Sequence, residues 1–298
     1  MGYIIGATGL LKSGEIHGLR ARFVSDINKG FIFDNTHIGF RVDKLNQEMT
    51  NIIIGIFLSS FAKYYIYMIS STWSTWHDNY YVKEIEKLPI KFPEEKDLEI
   101  RICGLVNEIT KPSNYNNKKL LEELDKAIFD LYELSEEQRD LVRDFCNISV
   151  DLYNSGLDSD AHKNPNKDCL KSYCKVFNEI WDVRLYKKGK CLDSTIYYDQ
   201  NSTLHSVTFK LTNKSIKKEP NIIELEGSGE ILKELKKNLR TKINPQIYID
   251  RILKEITDDS FLIIKKAEMQ YWTKSQARKD AKEFLTEVFK MEWENSGN

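Results

Sequence analysis

The sequence predicts an α+β fold: a small twisted β-sheet domain with a long helix, an antiparallel helical hairpin, and a second α/β domain. Three observations predict it. Strand-length apolar groups broken by glycine fill the first fifty residues, a helical apolar stripe begins after Lys118, and strand-like alternation returns after Cys191. The 298 residues suit about two domains, at about 100–200 residues each. Apolar residues at 41% and charged residues at 30% exclude a disordered or collagen-like chain.

Tyr3-Ile-Ile, Ala21-Arg-Phe-Val24, Gly30-Phe-Ile-Phe-Asp34 and Ile38-Gly-Phe-Arg-Val42 are short enough, and bounded by enough Gly, Asn and Asp, to be strands joined by tight turns. A long helix is expected near residues 48–69. Leu88-Pro-Ile-Lys-Phe-Pro93 should be extended, since each proline biases the residue before it away from helix. A short helix over 97–110 and a polar break over 111–117 follow. Leu120, Leu121, Leu124, Ile128, Leu131 and Tyr132 then recur at helical spacing, and Ser135 with Gln138 forms a capping box before Leu141, Val142, Phe145 and Ile148. These two helices make the hairpin. Beyond it, strands are expected at Thr195–Tyr198, Ser206–Leu211, Ile222–Glu226 and Phe261–Ile264, with helices over 228–240, 245–256 and from Thr273 onward. The expected domains are 1–110, a hairpin spacer at 118–153, a polar linker at 154–168, and 169–298.

Lys+Arg 44 against Asp+Glu 45 excludes a protein that coats polyanions through a large global charge. The balance is a cancellation. Residues 1–25 carry a net +2, residues 118–151 hold five basic against ten acidic side chains, and residues 205–282 hold 17 against 11. The five cysteines and the lack of a basic-then-apolar leader point to a cytoplasmic chain with reduced thiols. The apolar run Ile52 to Ile69 carries Ser59, Ser60 and Lys63 at its centre, so a buried helix is expected and no membrane span.

No cofactor or metal is expected. Gly6-Ala-Thr-Gly9 and Gly227-Ser-Gly229 lack the spacing of a phosphate loop. His162, Cys169, Cys174 and Cys191 lack the paired spacing of a zinc site. The strings nearest to an adenine-gripping loop, Asp78-Asn-Tyr-Tyr81 and Asn164-Pro-Asn166, lack its second proline and aromatic. Asp258 or Asp259 before Phe261-Leu-Ile-Ile-Lys265 could serve a metal-dependent nuclease, but a structural strand with a solvated lysine is the expected outcome. What remains is binding chemistry. Lys12, His17, Arg20 and Arg22 can hold phosphates, and Trp73, Trp76 and His77 sit in a hydroxyl-rich run able to meet phosphates or base edges, unless the tryptophans pack inside.

The segment order Gly30–Arg41, then Ile52-Ile-Ile-Gly-Ile-Phe-Leu-Ser-Ser-Phe-Ala-Lys-Tyr-Tyr65, then Ser70-Ser-Thr-Trp-Ser-Thr-Trp76, then Ile85-Glu-Lys-Leu-Pro-Ile90 resembles a known family. It is similar to the C-terminal target-recognition regions of type IIG restriction-modification enzymes and of BREX- or DISARM-like phage-defence adenine methyltransferases. Phe261-Leu-Ile-Ile-Lys-Lys266 and Tyr271-Trp-Thr-Lys-Ser-Gln-Ala-Arg-Lys-Asp280 resemble a C-terminal signature of some of these proteins, departing from its Lys-Pro at Lys266 and Ala267. The family's catalytic half has no counterpart here. The resemblance therefore implies a DNA-specificity subunit or fragment that binds double-stranded DNA and acts with a separate methyltransferase or restriction chain. It implies contacts from Lys12, His17, Arg20, Arg22, Trp73, Trp76 and His77, with a second patch at Trp272, Lys274 and Arg278. Two other readings stay open: an enzyme, either the nuclease above or a degenerate adenine methyltransferase, and a protein-interaction module that docks a partner on the Leu124/Ile128 face of the hairpin.

Overall fold

The computed structural model describes residues 3–7, 20–24, 37–41, 45–70, 82–114, 117–213, 219–225, 252–257 and 259–296. The fold is mixed α+β and divides into two compact units, Met1–Cys146 and Asn147–Asn298.

The first unit opens with β1 (Tyr3–Ala7), β2 (Arg20–Val24) and β3 (His37–Arg41), an antiparallel sheet in the order β2-β1-β3. Tyr3 is the common register point, opposite Val24 on one side and Arg41 on the other. Beside β2 runs α1 (Gln47–Leu58), started by the Asn46 side chain accepting from the Met49 N–H at 2.8 Å. The expected single helix is in fact two. Ser59 leaves the helical region at ψ 156°, ending α1 and capping α2 (Ser60–Ile69), and the axes bend by 63°. Its hydroxyl donates to the Ile56 carbonyl at 2.6 Å and accepts from the Ala62 N–H at 3.3 Å, so one serine satisfies backbone groups of both helix ends. No single helix among the described residues is long and apolar enough to cross a membrane.

After α3 (Val82–Ile85), the segment from Leu88 to Pro93 is neither helix nor strand. It is pinned at Pro89, whose carbonyl accepts from the Tyr132 hydroxyl, and at Lys91, which pairs with Glu133 at 2.6 Å. Next, α4 (Lys96–Ile109) packs on α1 at Gly55, where an added Cβ would lie 3.0 Å from Val106 Cγ2 and 3.1 Å from Ile102 Cγ2. The hairpin is α5 (Lys118–Leu131) and α6 (Glu136–Asp144), with the Ser135–Gln138 capping box in place. Glu133 takes φ 54° in the turn, and Arg139 holds it closed through the Leu134 carbonyl and Asp130, each at 2.8 Å. The hairpin is no free-standing spacer. Leu124, Ala127, Ile128 and Leu131 are buried in one core with Ile52, Ile56, Ile66, Ile102 and Val106, so the Leu124/Ile128 face is already occupied.

A π-helical turn, Phe145–Val150, carries the division between the units. In the second unit, α7 (Asp151–Ser155) leads into short 3-10 turns over the expected linker. That stretch is packed. The Lys163 carbonyl accepts from the Met269 N–H at 2.8 Å, and Asn164 bonds the Gln200 carbonyl and His205. A 19-residue helix, α8 (Lys167–Leu185), follows. Strands β4 (Lys190–Tyr198), β5 (Leu204–Asn213), β6 (Asn221–Glu224), β7 (Ile252–Ile256) and β8 (Ser260–Lys266) form a mixed sheet in the order β6-β4-β5-β8-β7, with β6 parallel to β4 and the other neighbours antiparallel. Residues 252–256, expected as helix, are strand because pairing from Ile252↔Lys265 to Ile256↔Phe261 outweighs local propensity. Helix α9 (Lys274–Ser296) runs parallel beside α8, with Tyr173 meeting Asp280, Phe177 meeting Phe284 and Arg184 meeting Phe289. The two helices bury Leu192, Ile196, Val207, Phe209, Phe261 and Ile263 on one face of the sheet. Leu262 and Ile264 gather with Leu204, Leu225 and Leu253 in a smaller cluster.

Candidate nucleic-acid interface

In the first unit, Arg20 and Arg22 occupy β2 at the register positions opposite Ala7 and Ile5. Lys12, His17, Trp73, Trp76 and His77 lie outside the described residues. The described frame on either side of the Trp73–His77 run is firmly built. Asp125 of α5 takes the Ser60 N–H at 2.7 Å and the Ser60 hydroxyl at 2.6 Å, fixing where α2 starts. Burial pushes the Asp125 carboxyl upward, while the Ser60 donors pull it back. At the far end of α2, the Ser70 hydroxyl donates to the buried Glu84 carboxylate at 3.1 Å. In sequence the polar-aromatic run falls between two helices, α2 and α3, that the Ser70–Glu84 bond ties together.

In the second unit the structure corrects the sequence expectations. Trp272 does not present an exposed ring. Its indole is 1% exposed, donates from Nε1 to the Lys266 carbonyl at 2.8 Å, and meets Tyr173 edge-on at 5.0 Å. Burying an indole and pairing its only donor is the usual solution for Trp in a core. Lys274 and Arg278 are half-buried in the first turns of α9. The Trp272–Lys274–Arg278 patch therefore does not assemble around an aromatic platform.

Lys265 is not solvated either. Its ammonium is 1% exposed, pairs with Asp280, donates to the Tyr271 carbonyl at 2.9 Å, and lies 3.3 Å from the Tyr173 hydroxyl. Asp280 also accepts from Tyr173 at 2.6 Å and from Gln276 at 3.2 Å, and Lys254 approaches it to 3.3 Å while pairing with Glu283. Burial drives the Lys265 ammonium downward and the Asp280 carboxylate opposes it. Burial and the same carboxylate raise the Tyr173 phenol well above its ordinary value. Every hydrogen-bonding site of Lys265 is used, which suits a core cross-link between β8, α8 and α9. The residues of the C-terminal signature, from Lys265 through Trp272 to Asp280, are thus one packed cluster. Sequence reasoning missed it because the ion pair joins positions fifteen apart, a separation with no local periodicity.

The nuclease arrangement fails on distance. Asp259 lies in the β7–β8 turn, with Oδ1 facing the Thr257 hydroxyl, and Lys265 is at the other end of β8, about 20 Å away at about 3.3 Å per strand residue. Asp258 lies outside the described residues. Among the described residues, no group of three or more His, Cys, Asp and Glu could hold a metal, and all five cysteines are free thiols.

An open polar groove of about 550 Å³ lies at the start of α8, lined by Asn166, Lys167, Asp168, Tyr198, Asp199 and Glu224 among others. Lys167 is held by Glu224 and sits 5.5 Å above the Tyr198 ring. Behind the groove His205 is fully buried and stacked on Tyr198, with ring centroids 5.1 Å apart. The Asn164 amide nitrogen is committed to the Gln200 carbonyl at 2.8 Å, so its oxygen faces His205 Nε2 at 2.6 Å and that nitrogen carries the proton. Burial, opposed by Asp199, lowers the imidazole to about 4 and keeps it neutral. The remaining lone pair on His205 Nδ1 and the Asp199 Oδ2 atom are buried without a hydrogen-bond partner.

A scan against protein-family models, a search of curated proteins and a search of solved structures each return no match, so the residues of the chain and their geometry carry the functional argument.

Proposed function

We propose that this chain is a DNA-recognition polypeptide, a specificity subunit or fragment that acts with a separate catalytic methyltransferase or restriction chain of a restriction or phage-defence system. The observation that carries the reading is the order of elements in the first unit. A small antiparallel sheet is followed by two helices broken at Ser59-Ser60, then the Ser70–His77 run, then the non-helical Leu88–Pro93 crossing, then an acidic hairpin. That order runs parallel to the segment order of the resemblance, with the break in the helix at the paired serines.

In this reading the sheet and the run after Ser70 form the recognition region. Lys12, His17, Arg20 and Arg22 hold phosphates, and Trp73, Trp76 and His77 meet phosphates or base edges. The acidic hairpin props the region from behind and is repelled by phosphate. The enzyme reading loses support from the separation of Asp259 and Lys265. The interaction-module reading loses support from the burial of Leu124 and Ile128.

The test is equilibrium binding of the full chain to duplex DNA over a range of salt. Several displaced counterions give a log–log slope of about −0.9 per neutralised phosphate. The variant Arg20→Gln with Arg22→Gln is expected to lower the slope magnitude by about 2. Absence of duplex binding, with the candidate catalytic partner added, overturns the proposal.

A further inference from the structure

We propose that the end of the second unit where α8 gives way to β4 is a phosphate-backbone clamp for double-stranded DNA. The inference rests on the DNA reading above and adds which surface of the second unit meets the duplex. Arg184, Lys187, Lys188 and Lys190 fall within seven residues, and no acidic residue intervenes between Asp182 and Asp193. A 3-10 turn over Tyr186–Lys188 and the left-handed Gly189, at φ 63°, wrap the three lysines around one tight turn, and all three are exposed.

Lys163, Lys167, Lys175 and Lys254 of the same unit are each held by a carboxylate. Lys187, Lys188 and Lys190 make no ion pair among the described residues. Lys171, Lys210, Lys266 and Lys279 of the same unit also lack an acidic partner among the described residues, and Lys187, Lys188 and Lys190 differ from them in sharing one turn. A helix C-terminus favours a cation by about 0.3–1 kcal/mol, which accounts for Arg184 and one lysine of the last turn. It does not account for Lys190, which already belongs to β4. Three like charges on one turn repel one another, and a polyanion relieves that repulsion.

The neighbouring surface suits a nucleic acid. Arg184 stacks on Phe289 at 3.9 Å, Tyr186 and Phe289 are 66% and 55% exposed, and Lys290 follows on α9. On the sheet, Asp193 lies three residues along β4 from Lys190, and Asp259 in the β7–β8 turn gives its backbone carbonyl to the Leu211 N–H and faces Thr257 with Oδ1. On α9 the C-terminal half of the helix carries Glu287, Glu292 and Glu294 as well as Lys290. The turn lacks the broad apolar face that a peripheral membrane surface needs, so duplex phosphate is the occupant.

The experiment compares the full chain with the variant Lys187→Gln, Lys188→Gln, Lys190→Gln in duplex binding over a salt series, with circular-dichroism melts to confirm equal folding. The expected result is affinity weakened at least about tenfold, uniformly across DNA sequences, with the salt slope reduced by about 3. The triple Lys→Arg variant should keep the wild-type slope. A Gln variant with unchanged slope, while the wild type binds DNA, overturns the clamp and leaves the recognition reading standing. A wild-type chain that binds no DNA overturns both. Binding to phosphatidylserine vesicles that the Gln variant loses, with DNA binding intact, also overturns the clamp.

Discussion

The two units solve the problem of a unique core in opposite ways. The first is built mainly on aliphatic side chains from α1, α2, α4 and α5, with a few polar groups paired inside it, Asn51 with Asn107, Ser59 with the Ile56 carbonyl and Ser60 with Asp125. The second surrounds a buried ion pair, Lys265–Asp280, with Tyr173, Phe177, Trp181, Phe209, Phe261, Trp272 and Phe284. Aliphatic packing is tolerant of sliding, so the first unit fixes its register by close approach at Gly55. A charge in a core tolerates no sliding, so the second fixes the register of β8 against α9 by electrostatics.

The largest test of that contrast is Asp280→Ala. It strands the buried Lys265 ammonium and is expected to cost about 3–5 kcal/mol, read from urea unfolding. Lys265→Met combined with Asp280→Leu should recover most of the loss, because no charge is then left unpaired. A double variant as damaged as the single one would break the comparison by showing that volume, not charge, governs the site.

The next effect is pH-dependent and confined to the second unit. The folded-state value of His205 lies below its unfolded value near 6.5, at about 4. Its contribution is complete above pH 6.5 and is lost as pH falls through about 4, a loss of about 3 kcal/mol at most. His205→Gln keeps a donor for Asn164 and should flatten the dependence of the urea midpoint between pH 7 and pH 4. An unchanged profile in the variant would remove His205 from the account.

The smallest effects belong to the first unit. Gly55→Ala pushes a methyl against Val106 and Ile102 and should destabilise by about 1–3 kcal/mol. Gly104→Ala, in α4 with open space around it, should stabilise by about 0.4–1 kcal/mol. Thermal melts giving the two the same sign would mean that the α1–α4 contact does not set the register.

Much of the fold was legible wherever the determinant is local. The Ser135–Gln138 capping box, the Leu120–Tyr132 stripe and the proline-bounded Leu88–Pro93 segment each depend on neighbours within a few positions. The stripe of α8, from Leu170 through Phe177 to Leu185, is equally readable. No helix is among the sequence expectations for that stretch, where Cys169 and Cys174 are weighed only as metal ligands and set aside. The break at Ser59 is hidden for another reason, since apolar periodicity runs through it unbroken and only the capping geometry reveals it. Ile252–Ile256 and the Lys265–Asp280 pair are set by partners far along the chain, and no window of sequence contains them. Of the candidate site, the sequence supplied the basic and aromatic residue types. It could not tell that Trp272 is packed while Lys187, Lys188 and Lys190 stand clear.

The parallel pairing of α8 with α9 also sets the order in which the molecule can assemble. During synthesis the helices of the first unit have their partners as soon as residue 146 is free of the ribosome. The second core must wait, because Tyr173, Phe177 and Lys265 all close on Asp280 and Phe284. Tyr173 and Phe177 of α8 therefore stay exposed for more than a hundred residues of translation, and contacts of such long range form slowly. A nascent chain stalled before Phe284 would carry a finished first unit and an unsealed aromatic surface for chaperones to find.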